Sequence, residues 1–207
     1  MSLPERMTDH WWWRPGVRPS RRLYVWHILF EGQPEVAVLA QSCQALLTGV
    51  PGLDVVPAPW LHLTTQIIGF ADEIDDAEVE AMRAAAAKRL QRLDPVPIAL
   101  GRVLIHSEAV MLGVRPALAL DPVRESLRDA VAGTVRVHQL ADAPGWTPHM
   151  TLAYSNRAAP AAPVIEAMRE APRALDIQIK EVCLVSQVRV GRAYRWNRIA
   201  TMPLGIR

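Results

Sequence analysis

The sequence predicts an α+β fold with two similar lobes around a cleft, and three observations carry that prediction. Segments of strand and helix character follow the mixed order β-α-β-β-α-ββ-α-β-α-ββ, with short connections that suit hairpins. A helix, a histidine-bearing strand and another helix occur in that order twice. The chain has 207 residues, half of them hydrophobic, which suits one domain or two small lobes sharing a core.

Each element has its own signal. Residues 1–20 read as an irregular N-terminal arm, because Pro4, Pro15, Gly16 and Pro19 break any period. Residues 21–207 read as the single bilobal domain. Residues 22–30 are rich in aromatic and β-branched side chains and predict a strand. Residues 34–47 predict a helix, with Pro34 in the first turn and Val36, Leu39, Ala40, Cys43 and Leu47 at helical spacing. Strands follow at 54–57 and 61–69. Residues 75–93 predict a helix capped by Asp75 or Asp76, acidic in its first turn and basic in its last, as the helix dipole favours. Residues 98–105 and 110–114 read as paired strands, and Asp121-Pro122 opens a helix to about 132. A strand starts after Pro148, a short helix covers 163–169, and strands at 175–188 and 194–202 close the chain across Gly191.

Composition narrows the function classes. Net charge is +2, which permits a polyanionic ligand without demanding one. Two cysteines, Cys43 and Cys183, are too few for a disulfide framework and form no CxxC pair. Both read as small buried apolar residues. No stretch approaches the roughly 20 apolar residues of a membrane span. The first 16 residues, with Asp9, His10 and three tryptophans, do not read as a secretory leader. The expectation is a cytoplasmic monomer with no membrane partner and no cofactor.

The chemistry lies in two short segments, HLTT at 62–65 and PHMTLAY at 148–154. In a strand, residues i and i+2 share a face. That reasoning puts His62, Thr64 and Gln66 on one face, and His149, Thr151 and Ala153 on one face of the other strand. An imidazole and a hydroxyl then stand about 7 Å apart along each strand. Such a pair grips one phosphate. The hydroxyl donates to a non-bridging oxygen, and the imidazole exchanges a proton with a bridging oxygen or water. Two facing pairs supply a base and an acid, and histidine suits both tasks because its ordinary pKa is about 6.5. A polar face turned to solvent is the competing reading of either segment alone. Neither segment has the HExxH spacing of a zinc site, so no metal is expected.

On these two segments the chain resembles the 2H phosphoesterase superfamily, in its bacterial 2′-5′ RNA ligase-like, cyclic phosphodiesterase branch. That family's pattern is a histidine, an apolar residue, a serine or threonine, and an apolar residue, occurring twice. The second copy is met in full by residues 149–152, whereas in the first Thr65 stands where an apolar residue is usual. The resemblance extends loosely from about 21 to 203. It implies a bilobal, pseudo-twofold fold: two antiparallel sheets flanked by helices, with the motifs facing each other in a central cleft. It also implies metal- and ATP-independent chemistry on 2′,3′-cyclic phosphates or 2′-5′ linkages of RNA or nucleotides, reversible as 2′-5′ ligation. RNA-ligase-like members often carry a basic residue after the second motif. Here Arg157 comes only after Tyr154, Ser155 and Asn156, which favours small phosphodiester hydrolysis over polynucleotide ligation.

The expected catalytic set is His62, Thr64, His149 and Thr151, without assignment of base and acid. Gln66 is a candidate for phosphate, and Trp146 and Tyr154 for stacking on a base; packing competes with each. His27 reads as a structural histidine, and His10, His106 and His138 as surface or structural ones. Three readings stay open for Trp11, Trp12 and Trp13: a cleft cover, a packed arm and a partner contact. The run Arg189, Arg192, Arg195 and Arg198, beside Tyr194 and Trp196, suits either an RNA backbone or a solvated hairpin. Arg14, Arg18, Arg21 and Arg22 share that ambiguity. The rivals from other classes are a non-catalytic RNA- or nucleotide-binding module using the same cleft, and a structural domain whose His-x-Thr strands face solvent.

Overall fold

The computed structural model describes residues 3–140 and 146–205. The ends of the arm and of the domain, at 1–2 and 206–207, lie outside the described residues. The elements run β1 (Arg6–Met7), β2 (Leu23–Leu29), α1 (Pro34–Leu46), β3 (Leu53–Val55), β4 (His62–Phe70), α2 (Asp76–Leu90), β5 (Val96–His106) and β6 (Ala109–Arg115). Then come α3 (Asp121–Ala132), β7 (His149–Ser155), β8 (Ala159–Pro160), α4 (Ala162–Ala167), β9 (Leu175–Ile179), β10 (Glu181–Val190) and β11 (Ala193–Pro203).

The strands build an α+β molecule from two matching antiparallel halves, β11-β10-β2-β4 and β9-β5-β6-β7. The motif strands β4 and β7 are innermost in their halves and meet at a single register pair, Leu63 with Met150. That pair joins the halves into one curled sheet. Beyond it, β3 continues along the same edge of β7. Leu63 and Met150 are both fully buried, as core positions of alternating strands should be.

Helices cross between the halves. α1 follows β2 but lies against β7, while α3 follows β6 but lies against β4. α1 starts at Pro34 and buries Val36, Leu39, Ala40 and Cys43. α2 starts with a capping box in which Asp75 accepts from the Glu78 amide and Glu78 from the Asp75 amide. α3 buries Val123, Leu127, Ala130 and Val131. One apolar cluster takes residues from both halves and all of these helices, so burial of apolar surface ties the lobes together. Cys43 and Cys183 are free and buried. Among the described residues, no helix is long and apolar enough to cross a membrane.

The stretch 175–188, expected as one strand, is two. It breaks at Lys180: β9 pairs with β5 in one half, and β10 pairs with β2 in the other. β9 alternates and β10 opens on a continuous buried run, but strand-forming residues continue through Lys180, so composition alone does not reveal the change of partner. The N-terminal stretch is irregular apart from β1, which pairs with β8. It is nevertheless anchored, because Met7, His10 and Trp11 are buried.

Candidate active site

Both motif strands carry a β-bulge at the same place. In β4, Thr64 and Gln66 oppose consecutive residues of β2, His27 and Trp26, so Thr65 is the extra residue. In β7, Thr151 and Ala153 oppose consecutive residues of β6, Met111 and Val110, so Leu152 is the extra residue. A bulge reverses the facing of everything beyond it. Each bulge therefore follows directly on the threonine, and the strand aims only its histidine and threonine, then the residue three beyond the threonine, into the cleft.

Two sequence expectations are corrected by this. Gln66 does not share the face of His62 and Thr64. It is 6% exposed, accepts from Arg128 on α3 at 3.2 Å and donates to the Ile67 carbonyl at 2.6 Å; Ile67 lines the cleft instead. Likewise Ala153 joins the main core, and Tyr154 takes the cleft position. Simple alternation holds only to the threonine.

The cleft has a volume of about 570 Å³ and is lined by His62, Thr64, His149, Thr151, Trp146 and Tyr154 among others. The structure thus brings together the four expected catalytic residues and both expected aromatic residues. Because β4 and β7 run antiparallel through Leu63 and Met150, His62 runs toward Thr151 and Thr64 toward His149. Each half offers the other one imidazole and one hydroxyl.

The two imidazoles are oriented alike. His62 Nδ1 donates to the Trp60 carbonyl at 2.9 Å, and His149 Nδ1 donates to the Thr147 carbonyl at 2.8 Å. Each bond runs to the carbonyl two residues back, and it leaves Nε2 as the lone-pair nitrogen of the neutral ring. Their surroundings differ. His62 is 8% exposed, lies opposite Leu29 on β2 and sits 4.9 Å from the Trp196 ring. Burial pushes its pKa down to about 4, the Trp60 carbonyl opposes that shift, and the charge of His149 adds to it. His149 lies opposite Gly113, where no side chain covers it, and is only half-buried. Its pKa is also lowered, by burial first and by His106 in addition, against the Thr147 carbonyl.

Other site residues were not legible as such. His27 is buried beneath His62 with ring centroids 4.3 Å apart. Its Nε2 lies 2.9 Å from the Gln187 side-chain amide, and its Nδ1 lies 3.3 Å from Thr64 Oγ1. Burial holds its pKa well below the ordinary value, helped by the nearby His62. Trp146 carries the Arg124 guanidinium over its ring at 5.1 Å.

The N-terminal stretch forms one wall. The Thr8 amide donates to the Ser107 carbonyl at the β5–β6 turn, and the His10 amide to the Ser155 carbonyl. The His10 ring bonds Glu108 and the Tyr194 hydroxyl and stacks on Tyr154 at 4.1 Å. Burial, then Arg14, brings its pKa down to about 4, against the pull of Glu108. Trp12 Nε1 and Arg14 both donate to Glu108. Arg189, on β10, donates to the Trp12 carbonyl and lies against the Trp11 and Trp13 rings. The segment therefore spans from the β5–β6 turn of one half to the β10–β11 hairpin of the other. His10, Glu108 and Tyr194 are far apart in sequence and follow no motif, so only the fold reveals them.

Among the described residues, no cluster of three His, Cys, Asp or Glu side chains is placed to hold a metal ion. A two-lobed antiparallel sheet with opposed His-x-Thr strands in its cleft defines a 2H phosphoesterase of the LigT-like kind. The chain belongs to the 2′-5′ RNA ligase superfamily, whose sequence pattern matches residues 33–191. Solved structures agree in fold. TT0787 of Thermus thermophilus is 18% identical with a TM-score of 0.70, covering 88% of this chain and 97% of that one. E. coli LigT complexed with 3′-AMP is 18% identical with a TM-score of 0.65, covering 89% of this chain and 99% of that one. No curated protein sequence matches the chain.

Proposed function

We propose that this phosphoesterase hydrolyses 2′,3′-cyclic phosphates or 2′-5′ phosphodiesters of RNA or nucleotides without a metal, with His62 as general base and His149 as general acid. The observation that carries the reading is the matched pair of imidazoles in one cleft, each pinned through Nδ1 so that Nε2 is left for chemistry. The structures of E. coli LigT complexed with 3′-AMP, NADP+ and ATP support a nucleotide as ligand.

His62, neutral because it is buried, takes a proton from water on Nε2. The water oxygen bonds to phosphorus, and the bond to one ribose oxygen breaks. His149, protonated, gives its Nε2 proton to that oxygen. Thr64 and Thr151 donate to the non-bridging oxygens, where negative charge grows. The reaction leaves His62 protonated and His149 neutral, and exchange with solvent restores both. With a ribose 5′-hydroxyl in place of water as the attacking group on a 2′,3′-cyclic phosphate, the same groups make a 2′-5′ linkage, and the reverse of that step cleaves it.

The assignment of roles follows from the surroundings. A base must be neutral before reaction, and the more deeply buried His62 is held that way. An acid must be charged, and the more open His149 pays less for its charge; a bound phosphate favours it further. The test is hydrolysis of a panel of nucleoside 2′,3′-cyclic monophosphates with EDTA present. Turnover that survives EDTA and falls at least about a hundredfold in both His62→Ala and His149→Ala supports the reading. Tight RNA binding without turnover on this panel or on 2′-5′-linked RNA would point instead to a binding module.

A further inference from the structure

We propose that residues 8–14 form a subsite for the nucleotides that extend beyond the one carrying the reacting phosphate, so that the preferred substrate is a single-stranded oligoribonucleotide. The inference rests on the phosphodiesterase reading of the same cleft and adds the class of substrate to it.

The first observation is a pair of aromatic side chains that the fold holds in place yet does not bury. Met7, His10 and Trp11 anchor the segment in the interior, whereas Trp12 is 49% exposed and Trp13 is 51% exposed. Trp12 is fixed by its bond to Glu108. Trp13 is fixed by Arg189, whose guanidinium lies 4.1 Å from its ring centroid. The Trp12 ring also carries the Arg14 guanidinium at 4.8 Å, and two large half-open indoles at successive positions offer surfaces on which unpaired bases stack, because every base has a π-face.

The second observation is charge. Arg14 is neutralised by Glu108. Arg189 instead has backbone carbonyls, of Trp12 and Gly191, and the indole faces of Trp11 and Trp13; no carboxylate pairs with it among the described residues. A guanidinium that lies on the Trp13 ring and bonds the Trp12 carbonyl is placed to meet a phosphate of a strand that stacks there.

The third observation is continuity. Trp12, Arg14 and Arg189 line the same cleft as His62 and His149, and Trp13 packs against Arg189. A strand whose end is in the cleft reaches Trp12, then Arg189, then Trp13. That path favours more of the same substrate over a separate protein partner. The segment lies before residue 33, where the match to the family pattern begins.

The test compares two substrates, a nucleoside 2′,3′-cyclic monophosphate and a short oligoribonucleotide ending in a 2′,3′-cyclic phosphate. The expected result is a wild-type kcat/KM at least about tenfold higher for the oligonucleotide, with Trp13→Ala cutting that preference about tenfold through KM. Trp12→Phe, which keeps a stacking ring, keeps most of the preference, and Trp12→Ala loses it. Equal losses on both substrates, or no loss on either, would overturn the proposal. Binding of the same oligonucleotide ending in a 3′-phosphate separates the two readings. If the wild type turns over neither substrate but binds this probe, and Trp13→Ala weakens binding, the subsite stands and the hydrolase reading fails. If the probe does not bind, the subsite fails.

Discussion

The two His-x-Thr strands share a plan and differ in what lies across from them. In β4, His62 faces Leu29 and Thr64 faces His27. In β7, His149 faces Gly113 and Thr151 faces Met111. The bulge after each threonine and the Nδ1 bond to the carbonyl two residues back occur in both halves. Backbone geometry thus supplies a symmetric pair of groups, and the neighbouring strand makes the pair unequal. Acid–base catalysis needs that inequality, since one group must begin neutral and the other charged.

After loss of either catalytic histidine, the largest expected effect comes from removing the hydroxyls. Thr64→Val and Thr151→Val each lower kcat by about 10²-fold, as loss of a donor to a developing oxyanion does. The halves then separate, because among the described residues Thr64, and not Thr151, has an imidazole within hydrogen-bond reach, that of His27. A neutral His27 carries one ring proton. On Nε2, it goes to Gln187, and Nδ1 takes the Thr64 proton. On Nδ1, it goes to Thr64 Oγ1 and leaves the hydroxyl proton for phosphate, with the Gln187 amide turned to offer its NH2. His27→Ala is expected to lower kcat about tenfold, the worth of one hydrogen bond, and to cost little more in a Thr64→Val background. An undiminished loss there would assign His27 to packing alone.

Stability sharpens the comparison next. His62 and His10 are both held near pKa 4, against about 6.5 in the unfolded chain. As pH falls below 6.5 the unfolded state binds protons that the native state refuses. Their contribution is therefore full above 6.5 and is lost progressively toward pH 4. Denaturant midpoints should fall across that window, and His62→Gln should flatten the fall more than His149→Gln. Equal flattening would contradict the difference in burial. The smallest effect on rate belongs to Gln66→Ala. It removes the Arg128 bond under the sheet, costing stability on the order of 1 kcal/mol, and leaves kcat/KM within about twofold.

The expectations that rest on local pattern match the structure closely. The capped helix at Asp75, Pro34 and Pro122 at helix starts, and alternation through residues 61–64 and 148–151 are all local matters of backbone and burial. What the sequence hides is non-local. The bulges at Thr65 and Leu152 exist only relative to a partner strand, so pattern alone assigns Gln66 to the cleft and Ala153 to the face of Thr151. His27 reads as structural and is indeed buried and hydrogen-bonded; its contact with Thr64 is hidden because it depends on Thr64 lying across from it. The N-terminal stretch lacks periodicity, yet His10 meets Glu108 and Tyr194 from opposite halves of the sheet.

The most direct test of the unequal pair is the pH dependence of kcat/KM on a nucleoside 2′,3′-cyclic monophosphate, with EDTA present. That quantity reports the free enzyme's ionisations. A bell is expected, with an ascending limb near pH 4 from His62 and a descending limb below 6.5 from His149. His62→Ala should abolish the first limb and His149→Ala the second. A profile that is flat from pH 5 to 9, or limbs that vanish in the opposite variants, would contradict it.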